Sequence, residues 1–225
     1  MTIDKLDRAM ALRSMGYKED NLSPVMAAYL DECEEAVLTA IHPVYTCRVC
    51  SIGHDTAGGE DVIDLDGLVL TGKDIAEHLQ GCDRAAVMAV TVGQGADRLI
   101  RRYETEDMAK AVIADAFAGA AVEQAADMAQ REIQQKYKDK WLTWRFSPGY
   151  GDLPLDLQAD LLRFLRARER TGIVLRGGML SPMKSITAFI GISDAPVPSP
   201  RSSCSVCRAA NSCIYRERGI HCGSS

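Results

Sequence analysis

The chain has no excess of basic residues, no apolar run long enough to cross a bilayer and no internal repeat. Its 26 Lys and Arg against 31 Asp and Glu leave a net charge of -5. That sign argues against a nucleic-acid binder, which presents a basic surface. A membrane span needs roughly 20 consecutive apolar residues, and no stretch approaches that. The first residues, Met1 to Asp7, hold no apolar signal core, so a cytoplasmic location is expected. What remains is an ordinary globular composition, 47% hydrophobic and 25% charged over 225 residues. That length supports one well-buried domain with room for an appendage.

Local signals divide the chain. Asp4 to Met15 reads as a short helix broken near Gly16. Ser23 and Pro24 supply a cap and a first-turn proline for a helix running to Ile41. Val44 to Ile52 alternates as a strand, and Val62 to Leu70 reads as two short strands around Asp66 and Gly67. Gly72 to Leu79 is a short helix. Ala85 to Val92 is a strand of small apolar residues feeding Gly93-Gln94-Gly95 and a helix through Tyr103.

The longest helical signal runs from Asp107 to about Lys138. Ala111, Ala114, Ala118, Ala121 and Ala125 recur at helical spacing, which lets a neighbour approach closely. Lys140 to Trp144 reads as a strand, Pro154 to Arg168 as an amphipathic helix, and Ile173–Leu175 and Lys184–Ile192 as closing strands. The acids and arginines between Asp152 and Arg170 read as a solvated helix face. Residues 194–203, rich in Pro and Ser, form a linker. Four regions are expected: a helical extension over 1–42, a core over 43–193, the linker, and a cysteine-rich tail over 204–225.

Two segments carry chemistry. In the first, Arg145, Pro148, Gly149 and Tyr150 set a charged fork, a tight turn and an aromatic ring within six residues at a strand end. Arginine grips a carboxylate or phosphate in bidentate fashion, a glycine lets a ligand approach backbone amides and carbonyls, and a tyrosine face receives a cation or flat ring. The bland reading is a hairpin-like turn with a surface arginine and a packed tyrosine. In the second, Cys204 and Cys207 have two residues between them, with Cys213 and Cys222 behind them and His221 as a substitute ligand. Four thiolates complete a tetrahedral zinc or an iron–sulfur site, and metal binding would supply the folding energy of so short a tail. A disordered tail or a redox-labile thiol cluster are the alternatives.

Other motifs recede. Cys47 and Cys50 lie in strand-like sequence, where residues three apart face opposite ways, so they read as packing groups. Cys33 and Cys82 read as buried thiols. Gly67 to Asp74 has P-loop spacing, but Asp74 replaces the magnesium-binding hydroxyl and the loop interior is apolar strand. Arg98 occupies the third glycine position of a dinucleotide fingerprint after Gly93, and with Arg101 and Arg102 it reads as solvated. His42, His54 and His78 are isolated in sequence and suggest no site.

Arg-x-x-x-Gly-Tyr, filled by Arg145, Gly149 and Tyr150, resembles the S-adenosylmethionine motif of the reactivation domain of cobalamin-dependent methionine synthase. Asp107 to Ala126, Thr171 to Ile173, and Met179 to Gly191 also resemble that family, over most of residues 10–193. Its free-standing bacterial members look most similar. The resemblance implies an α+β fold, a twisted antiparallel sheet with helices around it. It implies Arg145 on the ligand carboxylate, the backbone of Ser147 to Gly149 along the ligand, Tyr150 where the reactive face meets the corrin, and Glu123 as a ligand contact. Ser147 stands where the family often has alanine, which is harmless if only its backbone acts. The implied function is reactivation of a corrinoid methyltransferase: S-adenosylmethionine methylates cobalamin as it is reduced from its cob(II)alamin state, with an electron donor such as a flavodoxin or ferredoxin. That need for an electron favours iron–sulfur over zinc in the tail. No general base or nucleophile is expected. The rival readings are a methyltransferase for another acceptor and a ligand- or metal-sensing module.

Overall fold

The computed structural model describes residues 1–17, 22–57 and 60–197, without side chains for residues 54–61. Its centre is a six-stranded antiparallel sheet in the order β3-β2-β1-β4-β8-β5. The strands are β1 (Val44–Ala57), β2 (Glu60–Leu65), β3 (Leu68–Thr71), β4 (Arg84–Thr91), β5 (Trp141–Leu142) and β8 (Ser185–Ser193). A hairpin of β6 (Val174–Arg176) and β7 (Met179–Ser181) stands apart. The α+β architecture is the one expected. No helix among the described residues is long and apolar enough to cross a membrane.

Helices α1 (Arg8–Ser14), α2 (Pro24–Ala40), α4 (Gln94–Glu106) and α5 (Met108–Lys136) cover one face of the sheet. Helices α3 (Lys73–His78), α6 (Gln158–Leu165) and α7 (Ala167–Thr171) cover the other. Strand β4 shows why both layers hold. Ala86, Met88 and Val90 enter the core under α5, while Ala85, Val87 and Ala89 enter the core under α6. A strand buried on both faces reads as continuous apolar sequence. The five alanines at helical spacing in α5 are all buried, so the helix lies close to its neighbours. Capping follows the local rules: Ser23 accepts from Met26 N, and Asp107 accepts from Ala109 N and Lys110 N. Asp66 and Gly67, with φ of 52° and 95°, close the β2–β3 hairpin as a two-residue turn.

Several sequence expectations need correction. Helix α1 begins at Arg8 rather than Asp4, because the Asp7 side chain accepts from Met10 N and fixes the start. The expected helix over Pro154–Arg168 is a 3₁₀ turn (Leu155–Leu157), α6 and α7, separated by Arg166 in the left-handed region. Ile173–Leu175 does not close the main sheet. Gly177 and Gly178, both at positive φ, fold this segment back as the β6–β7 hairpin. The thiol readings hold. Cys33, Cys50 and Cys82 are buried, and Cys47 and Cys50 enter opposite cores. Arg98, Arg101 and Arg102 are exposed, and Leu68–Thr71 is strand rather than phosphate loop.

Candidate functional site

The segment from Trp141 to Leu153 is anchored to β8 and then leaves it. Only Trp141 and Leu142 pair regularly, opposite Ser193 and Ile192. Thr143 N donates to Gly191 O at 3.0 Å, and Gly191 N donates back to Thr143 Oγ1 at 2.7 Å. A side-chain hydroxyl has taken over a backbone position. Pairing resumes where Phe146 and Phe189 exchange bonds of 2.9 and 2.8 Å. One extra residue lies on the β5 side, a bulge that re-aims the side chains around it. The expected strand over Lys140–Trp144 is therefore shorter than its sequence suggests. Close approach explains Gly191, since a Cβ there would meet Cys82 Sγ at 2.5 Å.

The bulge sends Arg145 toward α5. Its Nη1 donates to Asp127 Oδ1 at 2.7 Å and Gln130 Oε1 at 3.0 Å, and its Nη2 donates to Glu123 Oε2 at 3.0 Å. The guanidinium is mostly buried, at 18% side-chain exposure, and its two acids are 40% and 42% exposed. Arginine carries five N–H donors, so two of them, on Nε and Nη2, have no partner among the described residues. Asp115, Gly119, Glu123 and Asp127 follow one another at four-residue intervals along one helix face. At the far end of that ridge Lys184 Nζ pairs with Asp115 Oδ1 at 2.8 Å. Sequence reasoning singled out Glu123 but missed Asp127, Gln130, Asp115 and Lys184. The four-residue recurrence of acids in α5 was the available signal.

The bend itself is closed by its own backbone. Tyr150 N donates to Ser147 O at 3.0 Å, Leu153 N to Tyr150 O at 3.0 Å, and Gly149 N to Leu153 O at 2.9 Å. The expectation that the turn presents these amides to a ligand is thus corrected: those of Gly149 and Tyr150 are engaged, and Pro148 has none. The Ser147 amide has no partner among the described residues. Gly149, at φ 90°, is exposed and adopts a conformation that favours glycine.

Asp152 ties the bend to α3. Its Oδ2 accepts from Lys73 N at 2.7 Å and its Oδ1 from Asp74 N at 3.1 Å, while Asp152 N donates to Asp74 Oδ2 at 3.0 Å. Gly72, the residue preceding α3, has no side chain to cap it, and a Cβ there would lie 2.7 Å from Asp152 Oδ1. A Cβ on Gly151 would overlap the Asp74 carboxylate. Asp152 is therefore a long-range helix cap, not part of a solvated helix face.

Beneath the bend lies an aromatic stack. Trp144 and Tyr150 are near parallel with centroids 6.3 Å apart, and Phe146 meets the Tyr150 ring edgewise at 5.9 Å. His78 packs against Trp144 at 4.8 Å and Phe146 at 5.0 Å, and its Nε2 lies 2.9 Å from Thr143 Oγ1. Burial lowers the His78 pKa to about 4, so the ring is neutral at physiological pH. His78 is thus part of the floor under the bend rather than the isolated residue its sequence context suggests. His42 N donates to Val92 O at 2.8 Å. Tyr150 keeps half its surface exposed, at 51%. Arg145, with open donors, thus meets two carboxylates on α5, while Tyr150 offers a half-exposed ring packed on Trp144 and Phe146, which pack toward the opposite core.

His54 lies outside the described side chains, and Cys204, Cys207, Cys213, His221 and Cys222 lie outside the described residues. Among the described residues no group of three or more His, Cys, Asp or Glu could hold a metal.

No protein-family model and no curated protein matches the chain. Among solved structures it is similar to the crystal structure of the MetH reactivation domain bound to AdoHcy. The TM-score is 0.57 at 16% identity, over 91% of this chain and 76% of that one. At that identity the likeness establishes architecture: this chain has the fold of the MetH reactivation domain.

Proposed function

We propose that this protein binds S-adenosylmethionine at the margin between α5 and the Arg145–Tyr150 bend, and that it serves the reactivation of a corrinoid methyltransferase. The observation that carries the reading is the meeting of Arg145 with Glu123, on the segment that also carries the exposed Tyr150, in a fold whose solved counterpart holds AdoHcy. The charges fit the ligand. S-adenosylmethionine has one carboxylate and two cationic centres, an ammonium and a sulfonium. The two open N–H groups of Arg145 suit the carboxylate. Glu123 and Asp127 leave the cluster with one excess negative charge, which suits the cations.

The residues divide the work by position. Arg145 and Glu123 orient the amino-acid end. Ser147 and Gly149 line the ligand through backbone, with Ser147 N–H the amide still open. Tyr150 offers its face. The ligand supplies the methyl group, and a cobalamin-loaded partner accepts it as an electron arrives from a donor such as a flavodoxin or ferredoxin. The protein's part is then orientation and exclusion of water, and no side chain near the bend is assigned as base or nucleophile. The tail cysteines Cys204, Cys207, Cys213 and Cys222 would hold an iron–sulfur cluster or zinc as a separate module.

Calorimetric titration of the purified protein with S-adenosylmethionine tests the reading. Saturable binding, and docking onto a cobalamin-loaded methyltransferase that strengthens with the ligand present, are expected. Absence of ligand binding would remove the proposal. Ligand binding without any cobalamin-dependent docking would favour a sensing module instead.

A further inference from the structure

A cavity of about 390 Å³ lies between α6, α7 and β6, on the sheet face opposite α5. Its volume falls within the roughly 300–1,000 Å³ typical of small-molecule sites. The floor is apolar: Leu162 and Ile173 are buried, at 7% and 1% exposure, and Leu175 packs beside them. The rim is cationic. Arg163, Arg166 and Arg168 line it with a single acid, Glu169, in a chain whose net charge is -5. Arg163 is paired with Asp160. The side chains of Arg166 and Arg168 have no ion pair or hydrogen bond among the described residues.

The backbone at Arg166 sharpens the point. At φ 52° and ψ 44° it caps α6 and opens α7 in the left-handed conformation, where glycine or asparagine sits with least steric penalty. An arginine there gives up backbone comfort, and in exchange sets a guanidinium on the rim of the cavity. A guanidinium fork matches the oxygens of a phosphate, and several such cations suit a dianion better than a carboxylate. The apolar floor takes an uncharged body.

We infer that this cavity is a second ligand site, taking a small phosphate monoester whose apolar body rests on Leu162, Ile173 and Leu175 while its phosphate meets Arg166 and Arg168. The inference is independent of what Arg145 and Glu123 bind, because the cavity is lined by α6, α7 and β6 while that pair lies on α5, which covers the other face of the sheet.

The test is calorimetry on the full chain at low salt, with phenyl phosphate, inorganic phosphate and phenol as probes. Phenyl phosphate is expected to bind more tightly than either fragment. Arg166→Gly is expected to weaken phenyl phosphate roughly tenfold or more, the effect of a lost charged hydrogen bond. It should leave the melting temperature unchanged or raise it, since glycine adopts the left-handed backbone freely. Arg168→Ala repeats the test within a regular helix and should weaken binding similarly. Phenyl phosphate binding no more tightly than inorganic phosphate would overturn the inference, as would undiminished affinity in both variants. Sedimentation of the chain with phosphatidic acid vesicles, without phenyl phosphate binding, would assign the arginines to a lipid surface and equally overturn it.

Discussion

Glu123 Oε2 and Arg145 Nη2 lie 3.0 Å apart across 22 residues of sequence, one on the longest helix and the other on the bulge that leaves β8. The pair fixes the guanidinium against α5, which makes it a preset fork rather than a flexible side chain. Asp127 and Gln130 hold the other nitrogen, which makes the orientation over-determined. A preorganised group loses less conformational freedom on binding.

Arg145→Ala is expected to weaken S-adenosylmethionine binding by about 2 kcal/mol or more, the scale of a lost charged hydrogen-bond pair. Arg145→Lys should recover little, because an ammonium lacks the planar fork. Isothermal titration of the three proteins checks this, and equal affinities would take Arg145 out of the site.

Glu123→Gln keeps the shape of the Arg145 contact and removes one negative charge. The ligand's cations should then bind less well, by about 1 kcal/mol at this half-exposed position. Affinity should also fall more steeply with salt in the parent than in the variant, since one screened attraction is gone.

Asp152→Ala removes the only side-chain cap described for α3 and frees the loop after Tyr150. A stability loss of about 1–2 kcal/mol is expected from denaturant melts, together with weaker ligand binding. Asp152→Asn keeps an acceptor and should restore part of both. Loss of stability with unchanged affinity would mean that the α3 anchor does not position the bend.

His78 makes the fold sensitive to acid. Its pKa is about 4 in the folded protein against 6.5 for a free histidine, because burial disfavours the charged ring. Below pH 6.5 the unfolded chain takes up a proton that the folded chain refuses, so stability falls as pH drops from about 6.5 toward 4. The full effect is roughly 3 kcal/mol at 1.36 kcal/mol per pH unit. Urea midpoints at pH 7 and pH 5 should differ less in His78→Gln than in the parent. An identical pH dependence in both would show that another group is responsible.

Anaerobic purification with iron and zinc analysis tests the tail. Iron with visible absorbance, lost on Cys204→Ser or Cys207→Ser, is expected for the cluster that would pass an electron. Stoichiometric zinc without iron after reconstitution would leave the tail a structural role only.

Local sequence made much of the fold legible. Ser23 with Pro24, Asp107, and Asp66 with Gly67 act through hydrogen bonds and dihedral preferences within four residues. The alanine repeat of α5 predicted a closely packed helix, and all five alanines are buried. The hairpin of β6 and β7 was not legible, because three-residue strands leave too short a pattern to say which partner they choose.

At the site, the sequence by itself determined which residues could matter: an arginine, a flexible glycine and an aromatic ring are chemical identities that no fold can supply. Tertiary structure decided what they touch. Only folding brings Asp152 to the start of α3, slides His78 beneath Trp144, and sets Arg145 between two carboxylates one helical turn apart. Those contacts join residues 18 to 79 positions apart, and chain entropy leaves such encounters unspecified until a packed core holds both ends.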